Sequence, residues 1–330
     1  MNKKTSIKDV AERAGVSYTT VSHVINKTRY VSPEVVERVN QAMVELNYQR
    51  NSLAQSLRKS HSHTVGIIVP SLSYDFYIHV IKGIEQVLYK EDYNISLACS
   101  RENSDIEEKQ IGMFASWQVE GMIIAPTSSS FANANPGGLS NCPVVCIDRI
   151  PADTRTDSVE TNCRNISRNI VEKLYDKGHK KIAFATCRPD LYPSHERMMG
   201  YEEGLSEKSL EGPLYFNSFE PTIEAGEKLA EGLLKEKTIS AVLIDNLQLC
   251  IGAMKYFTDH NISVPNRISV VSFDDSVWTS ITNPPLTAVH QDAVAFGKRA
   301  AEILLKRINE PNIEVQRVIL DGQIIMRETT

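Results

Sequence analysis

From residue 65 onward the chain repeats one pattern: an apolar run of four to six residues, a polar residue soon after it, then a longer amphipathic stretch. The runs span 65–69, 95–99, 122–125, 144–147, 182–185, 241–244 and 268–273. Runs this short suit strands buried on both faces. Segments such as 78–89, 166–176 and 293–308 separate or follow them and read as helices. The expected fold class is α/β with parallel sheets, whose strands are joined by crossover helices and covered by them on both sides.

Sheets of this kind bind ligands beyond the carboxyl ends of their strands. The residues following the runs are Ser71, Arg101, Thr127, Asp148-Arg149, Thr186, Asn246 and Asp274, nearly all polar. Carboxylate, amide and guanidinium groups give fixed hydrogen-bond partners for a polyol or sugar, and Phe76, Tyr77 and Phe219 are candidates for a flat apolar wall. Arg101, Arg149 and Arg188 would also suit a phosphate or carboxylate, although arginines equally form structural ion pairs.

With 330 residues, 42% hydrophobic and 23% charged, the chain can build two or three cores, which excludes a disulfide mini-protein and a disordered chain. No apolar run approaches the roughly 18 residues of a membrane span, and Met1-Asn2-Lys3-Lys4 leads into a polar segment, so a cytoplasmic protein without membrane contact is expected. Six scattered cysteines read as reduced core thiols; Cys142 and Cys146 flank an apolar stretch that suits a buried strand better than a redox switch. His61-Ser62-His63 reads as a solvated linker rather than a chelate, and no metal site or cofactor is expected.

The net charge of -5 hides an asymmetry. Residues 1–60 hold ten Lys/Arg against five acids, leaving that segment at +5 and the remainder at -10. Within it, Ser6 with Asp9 forms a capping signal, Ile7, Val10, Ala11 and Ala14 share one face, and Gly15 ends the helix. Ser17 then caps a second helix over 18–26, and Ser32-Pro33 opens a third carrying Val35, Val36, Val39, Met43 and Leu46. Two short helices joined at a glycine suggest a helix-turn-helix. On the second, Tyr18, Thr19, Ser22 and His23 fall within an arc of roughly 140°, a polar face that can meet base edges or remain simply solvated. The segment 51–59 places Leu53 and Leu57 one helical turn apart and is too short to be stable alone in water.

The ordered matches Ile7-Lys8-Asp9-Val10-Ala11, Ala14-Gly15-Val16-Ser17, Thr20-Val21-Ser22, Asn26, Val31-Ser32, Leu46-Asn47-Tyr48 and Asn51-Ser52-Leu53-Ala54-Gln55-Ser56-Leu57 closely resemble the LacI/GalR family of bacterial transcription regulators. The resemblance runs through the whole chain. It implies a three-helix DNA-binding head over 1–49, a hinge helix and linker over 50–60, and a two-lobed core over 61–330 resembling periplasmic sugar-binding proteins. Lobe 1 would comprise about 61–162 and 291–320, and lobe 2 about 163–290 and 321–330. Ser6, Ser17, Tyr18, Thr19, Thr20, Ser22, His23 and Asn26 become the expected DNA contacts of the head, with Asn51, Ala54, Gln55, Leu57 and Arg58 those of the hinge. Leu57 matches the family's intercalating leucine, an apolar wedge able to kink the duplex from the minor groove.

Arg197, Asp274 and Asn246 match the family's effector-binding arginine, aspartate and cleft asparagine, and Gln291 follows the crossover back to the first lobe. Each has a rival explanation: Arg197 could pair with a surface acid, Asp274 could cap a helix, and Asn246 could end its strand in a turn. The chain departs from the family at His23, which replaces a usual Arg and adds a titratable group. It departs also at Arg50 for Pro, Leu247 for Asp, Ser272 for Gly, and over 161–165. The operator's base preference and the effector's identity therefore do not carry over.

A regulator of this kind implies a homodimer on a pseudo-palindromic double-stranded operator, with a carbohydrate as the expected effector and a nucleobase, phosphosugar or protein partner as alternatives. No leucine heptad follows 325–330, so a dimer is expected rather than a tetramer. A transport receptor would not need the head. An enzyme of sugar metabolism finds no support in a phosphate loop or nucleophile elbow, and His195-Glu196 is followed by Met199 where a zinc motif needs a second His, so no catalytic residue is expected.

Overall fold

The computed structural model describes residues 5–48, 62–127, 142–150, 156–217 and 220–330. The chain divides into two compact units, Met1–Ser62 and His63–Thr330.

The first unit contains α1 (Ile7–Ala14), α2 (Tyr18–Asn26) and α3 (Pro33–Glu45). Ser6 Oγ accepts from the Asp9 amide at 3.4 Å while the Asp9 carboxylate takes the Ser6 amide at 2.7 Å, so two otherwise unpaired amides are satisfied reciprocally. Gly15 ends α1 with φ 64°, a left-handed turn that a Cβ would strain, and Ser17 accepts from the Thr20 amide at 3.1 Å to start α2. Val10, Ala11, Ala14, Val21, Ile25, Val39 and Ala42 form the core of the three helices, with Val24, Val35, Met43 and Leu46 packed around it.

The second unit holds two six-stranded sheets. One runs β11-β5-β4-β3-β1-β2, built from β1 (Thr64–Val69), β2 (Asn94–Cys99), β3 (Gly121–Ile124), β4 (Val144–Ile147), β5 (Asp157–Thr161) and β11 (Arg317–Leu320), all parallel. The other runs β12-β10-β9-β8-β6-β7, from β6 (Ile182–Thr186), β7 (Tyr215–Asn217), β8 (Ala241–Ile244), β9 (Ser269–Phe273), β10 (Thr287–His290) and β12 (Gln323–Ile325), with only β12 antiparallel. Helices α4 (Asp75–Leu88), α5 (Ser104–Ser116) and α11 (Ala293–Asn309) cover the first sheet. Helices α6 (Cys163–Asp176), α7 (Tyr192–Glu207), α8 (Ile223–Lys235) and α9 (Leu247–Asp259) cover the second, and the short α10 (Val277–Ile281) follows β9. The chain passes between the sheets after β5, after β10 and after β11.

Close helix contacts recur in both halves. A Cβ on Gly83 of α4 would lie 2.1 Å from the Val294 carbonyl of α11, and one on Gly252 of α9 would lie 2.0 Å from the Ile223 carbonyl of α8. Strand β5 is buried throughout although its sequence is Asp-Ser-Val-Glu-Thr. Its charge is accommodated because Arg307 forks onto Asp157 with two bonds of 2.8 Å and Tyr192 donates to Glu160. The seven apolar runs all fall on strands, but β5, β7, β10, β11 and β12 are further strands that apolar periodicity did not mark.

All six cysteines are free, and burial pushes the Cys146 thiol up to about 12, which keeps it an unreactive thiol. Among the described residues no helix is long and apolar enough to cross a membrane, and no group of three or more His, Cys, Asp or Glu is placed to hold a metal ion.

Candidate functional site

In the first unit, α2 presents the expected polar face. Thr19 and Asn26 are exposed, and Tyr18, Thr20, Ser22 and His23 are half-buried. Two of these hydroxyls are engaged locally: Thr20 shares a 2.8 Å bond with Ser17, and Asn26 Nδ2 donates to Ser22 Oγ at 3.2 Å. His23 Nδ1 pairs with Thr28 Oγ1 at 2.8 Å, which orients the ring from one nitrogen. Ser6 and Ser17 are thus helix caps first, while Thr19 presents its side chain outward. Asn51, Ala54, Gln55, Leu57 and Arg58 lie outside the described residues, as do Arg50 and Phe219.

In the second unit, loops at strand ends of both sheets enclose a cleft of about 930 Å³. It brings together Phe76, Tyr77, Asp148, Arg197, Asn246, Asp274 and Gln291, seven of the expected effector residues. Three others do not line it. Ser71 Oγ closes a local turn with Ser73, Arg101 points into solvent from a left-handed backbone at φ 55°, and Thr127 is buried with its amide donating to Glu107 at 2.9 Å. The rule that the residue after a strand faces the ligand fails at these places, where local bonding, exposure or burial takes the side chain elsewhere.

Arg197 comes from the first half of α7 and is 7% exposed. Its guanidinium lies 4.1 Å from the Phe273 ring centroid, and Nη1 donates to the Asp245 carbonyl at 2.9 Å. Burial works against its charge, but Cys163 and the carboxylates of Asp274, Asp245 and Asp148 outweigh that and hold it protonated. Burial raises Asp274 above the usual carboxylate range, with Arg197 opposing. Gln291 Nε2 donates to Asp274 Oδ1 at 2.7 Å, and Gln291 Oε1 accepts from Thr161 Oγ1 at 2.7 Å, so one amide joins the end of β5 to the end of β9. Tyr77 donates to Asp148 Oδ2 at 2.7 Å, and burial keeps its phenol well above the usual range and hence a donor. Asn246 caps α9 by accepting from the Gln248 and Leu249 amides at 3.0 and 3.2 Å, so its local role and its place on the cleft wall coexist.

Four buried polar atoms on residues lining the cleft have no hydrogen-bond partner among the described residues: Arg197 Nε, Asp245 Oδ2, Ser276 Oγ and Trp278 Nε1. Orphaned buried polar atoms are rare, and four around one cleft suit a polar guest. Asp245 and Trp278 were not anticipated from sequence. Asp245 stands directly before Asn246 and was the available signal; Trp278 sits on a short helix that periodicity does not reveal. Phe76, held edge-on between Tyr77 and Phe296 at 5.4 and 5.5 Å, supplies an aromatic wall.

Residues 6–51 match the bacterial regulatory proteins of the lacI family, and residues 171–330 match a periplasmic binding protein-like domain. The chain is 30% identical over 328 residues to the HTH-type transcriptional repressor PurR of Histophilus somni (strain 2336), a match spanning 98% of each chain. It is 29% identical over 328 residues to the ribose operon repressor of Escherichia coli (strain K12), again across 98% of both. Among solved structures, the lac repressor dimer bound to operator and the anti-inducer ONPF is similar with a TM-score of 0.88 at 27% identity, covering 99% of each chain.

Proposed function

The chain belongs to the lacI family of bacterial regulatory proteins and is a DNA-binding transcriptional regulator, and from that premise we propose that it is a cytoplasmic repressor whose operator affinity is set by a carbohydrate bound in the cleft. The observation that carries the ligand reading is that unpartnered Arg197 Nε, Asp245 Oδ2, Ser276 Oγ and Trp278 Nε1 belong to residues lining a cleft that also holds Asp148, Asp274 and Phe76. Donors and acceptors are both present there, as a polyol requires, and the aromatic rings suit the apolar face of a sugar ring. The ribose operon repressor among its relatives supports the same ligand class.

The head acts as one half of a two-fold reader. One α2 helix covers only half of a site, so two copies of the chain meet a pseudo-palindromic operator. Thr19 offers its hydroxyl and methyl to a base edge, and His23, fixed through Nδ1 by Thr28, offers Nε2. Ligand closure of the cleft moves one sheet against the other about the three crossings, and the segment 50–60 is the covalent route by which that change reaches the head. A ligand acts only through its different affinity for the two states, typically about 1 to 3 kcal/mol of coupling.

Selection of bound sequences from a random DNA pool, repeated with neutral sugars added, tests this reading. Recovery of a palindrome whose yield responds to one sugar is the expected result. A palindrome indifferent to every sugar removes the carbohydrate assignment, and the absence of any enriched sequence removes the operator reading.

A further inference from the structure

The cleft wall carries seven carboxylates and four arginines, and the arginines are largely spoken for. Glu102 accepts from Arg149 Nη1 and Nη2 at 2.7 and 2.8 Å and lies 3.7 Å from Arg188 Nη1. Arg188 forks onto Asp190 at 2.8 and 2.7 Å, and Arg327 forks onto Asp275 at 2.8 and 3.0 Å. The fourth, Arg197, is shared among Asp148, Asp245 and Asp274, so carboxyl groups outnumber guanidinium groups on the floor of the cleft.

Glu102 is placed with effort. It and Arg101 adopt consecutive left-handed backbones, φ 56° and 55°, a conformation that side chains rarely take and that persists where the surroundings enforce it. The result is a carboxylate from the loop between β2 and α5 reaching Arg149 beyond β4 and, from the other sheet, Arg188 beyond β6. Two guanidinium groups from opposite halves converging on one anion form the arrangement that would bind a phosphate, here filled by the chain's own side chain.

We propose that Glu102 is a specificity residue that occupies the anion seat of the cleft from within, so that the effector is an uncharged or amine-bearing polyol and phosphorylated or carboxylated sugars are refused. This rests on the assignment of the cleft to a small polyhydroxyl ligand. An incoming phosphate must displace Glu102 from Arg149 or lie against the aspartates around Arg197, and both leave like charges facing each other in a partly dry site. An ammonium group instead finds acceptors at Asp148 and Asp274.

The test is calorimetric titration of the full chain with inorganic phosphate and with matched sets: ribose against ribose 5-phosphate, and glucose against glucosamine and glucose 6-phosphate. The wild-type chain should give no heat with inorganic phosphate or either sugar phosphate at millimolar concentration. Glu102→Gln keeps an acceptor for Arg149 but removes the charge, and should bind inorganic phosphate at least about tenfold more tightly than wild type. The double variant Glu102→Gln with Arg188→Gln should lose that gain. Equal phosphate affinity in wild type and Glu102→Gln overturns the proposal. So does a sugar phosphate that binds the wild-type chain more tightly than its parent sugar, whatever the fate of the variants. If no sugar of either kind binds while Glu102→Gln still gains phosphate affinity, charge selection stands and the carbohydrate assignment falls.

Discussion

Asp148 and Asp274 are counterparts across the two sheets: each follows the third strand of its sheet, β4 and β9, and each holds a left-handed backbone, φ 62° and 71°. For a residue with a Cβ that conformation costs roughly 1 to 2 kcal/mol, and Asp and Asn tolerate it best because their short polar side chains can bond locally. Here the strain turns both carboxylates off their strands and onto the cleft wall.

Asp274→Asn keeps the backbone preference and removes the charge. Burial disfavours the ionised form of Asp274 in the folded chain, so the variant should be no less stable than wild type at pH 8. It should nevertheless bind the effector roughly 10- to 100-fold more weakly, since a hydrogen bond to a charged group contributes about 1.5 to 3 kcal/mol. Calorimetric affinity together with urea unfolding checks both signs. Lost stability with unchanged affinity would make Asp274 a structural residue.

Gln291→Leu removes the amide that joins Thr161 to Asp274. Both partners then lose a bond in a half-buried place, and unfolding free energy should fall by about 1 to 3 kcal/mol. A loss below about 0.5 kcal/mol, within the range of ordinary surface substitutions, would mean that the bridge carries no weight.

Glu107 gives the core a pH dependence. Its side chain is buried on α5, and desolvation lifts its carboxyl from 4.5 to about 7, against the opposing bond from the Thr127 amide. A raised carboxyl pKa means the folded chain prefers the protonated form. The associated stability is therefore full below the unfolded value near 4.5 and is lost as pH rises through 7. Glu107→Gln preserves an acceptor for the Thr127 amide and should be more stable than wild type at pH 8, by up to about 3 kcal/mol, with a flatter profile between pH 5 and about 8. Thermal unfolding across that range decides it, and a variant less stable at pH 8 contradicts the assignment.

In the head, Thr19→Ala and His23→Ala should each change preference at one operator position by about 1 to 3 kcal/mol. Ser17→Ala instead removes the α2 cap, worth about 1 kcal/mol, and should weaken binding to all sequences alike. Binding to a set of single-base operator variants separates the two patterns. Unchanged preference in both Thr19→Ala and His23→Ala would remove α2 from base reading.

Local chemistry was the legible part. The caps at Ser6 and Ser17, the left-handed Gly15 and the seven apolar strands follow from residue types a few positions apart. Strand β5 was hidden because its stability comes from Arg307 and Tyr192, far away in sequence, rather than from apolar residues of its own. Gly83 and Gly297 would be read as flaws in helices, and only the approach of α4 to α11 explains them: a Cβ on Gly297 would lie 1.9 Å from the Val80 carbonyl. In the cleft, Asp148, Arg197 and Asp274 could be picked out by position and type, whereas Glu102 could not. Its role depends on two arginines brought in from other loops, which turned the anion seat suggested by Arg149 and Arg188 into an occupied one.

The proposed function couples a DNA-reading face to a ligand cleft in one chain, and that coupling is directly measurable. Fluorescence anisotropy of a selected operator duplex, titrated with protein in the absence and presence of a neutral sugar that binds the cleft by calorimetry, measures the coupling directly. Saturating sugar should shift operator affinity by about 5- to 150-fold, and Arg197→Ala should abolish the shift. A sugar that saturates the cleft while operator affinity stays the same would contradict the coupling.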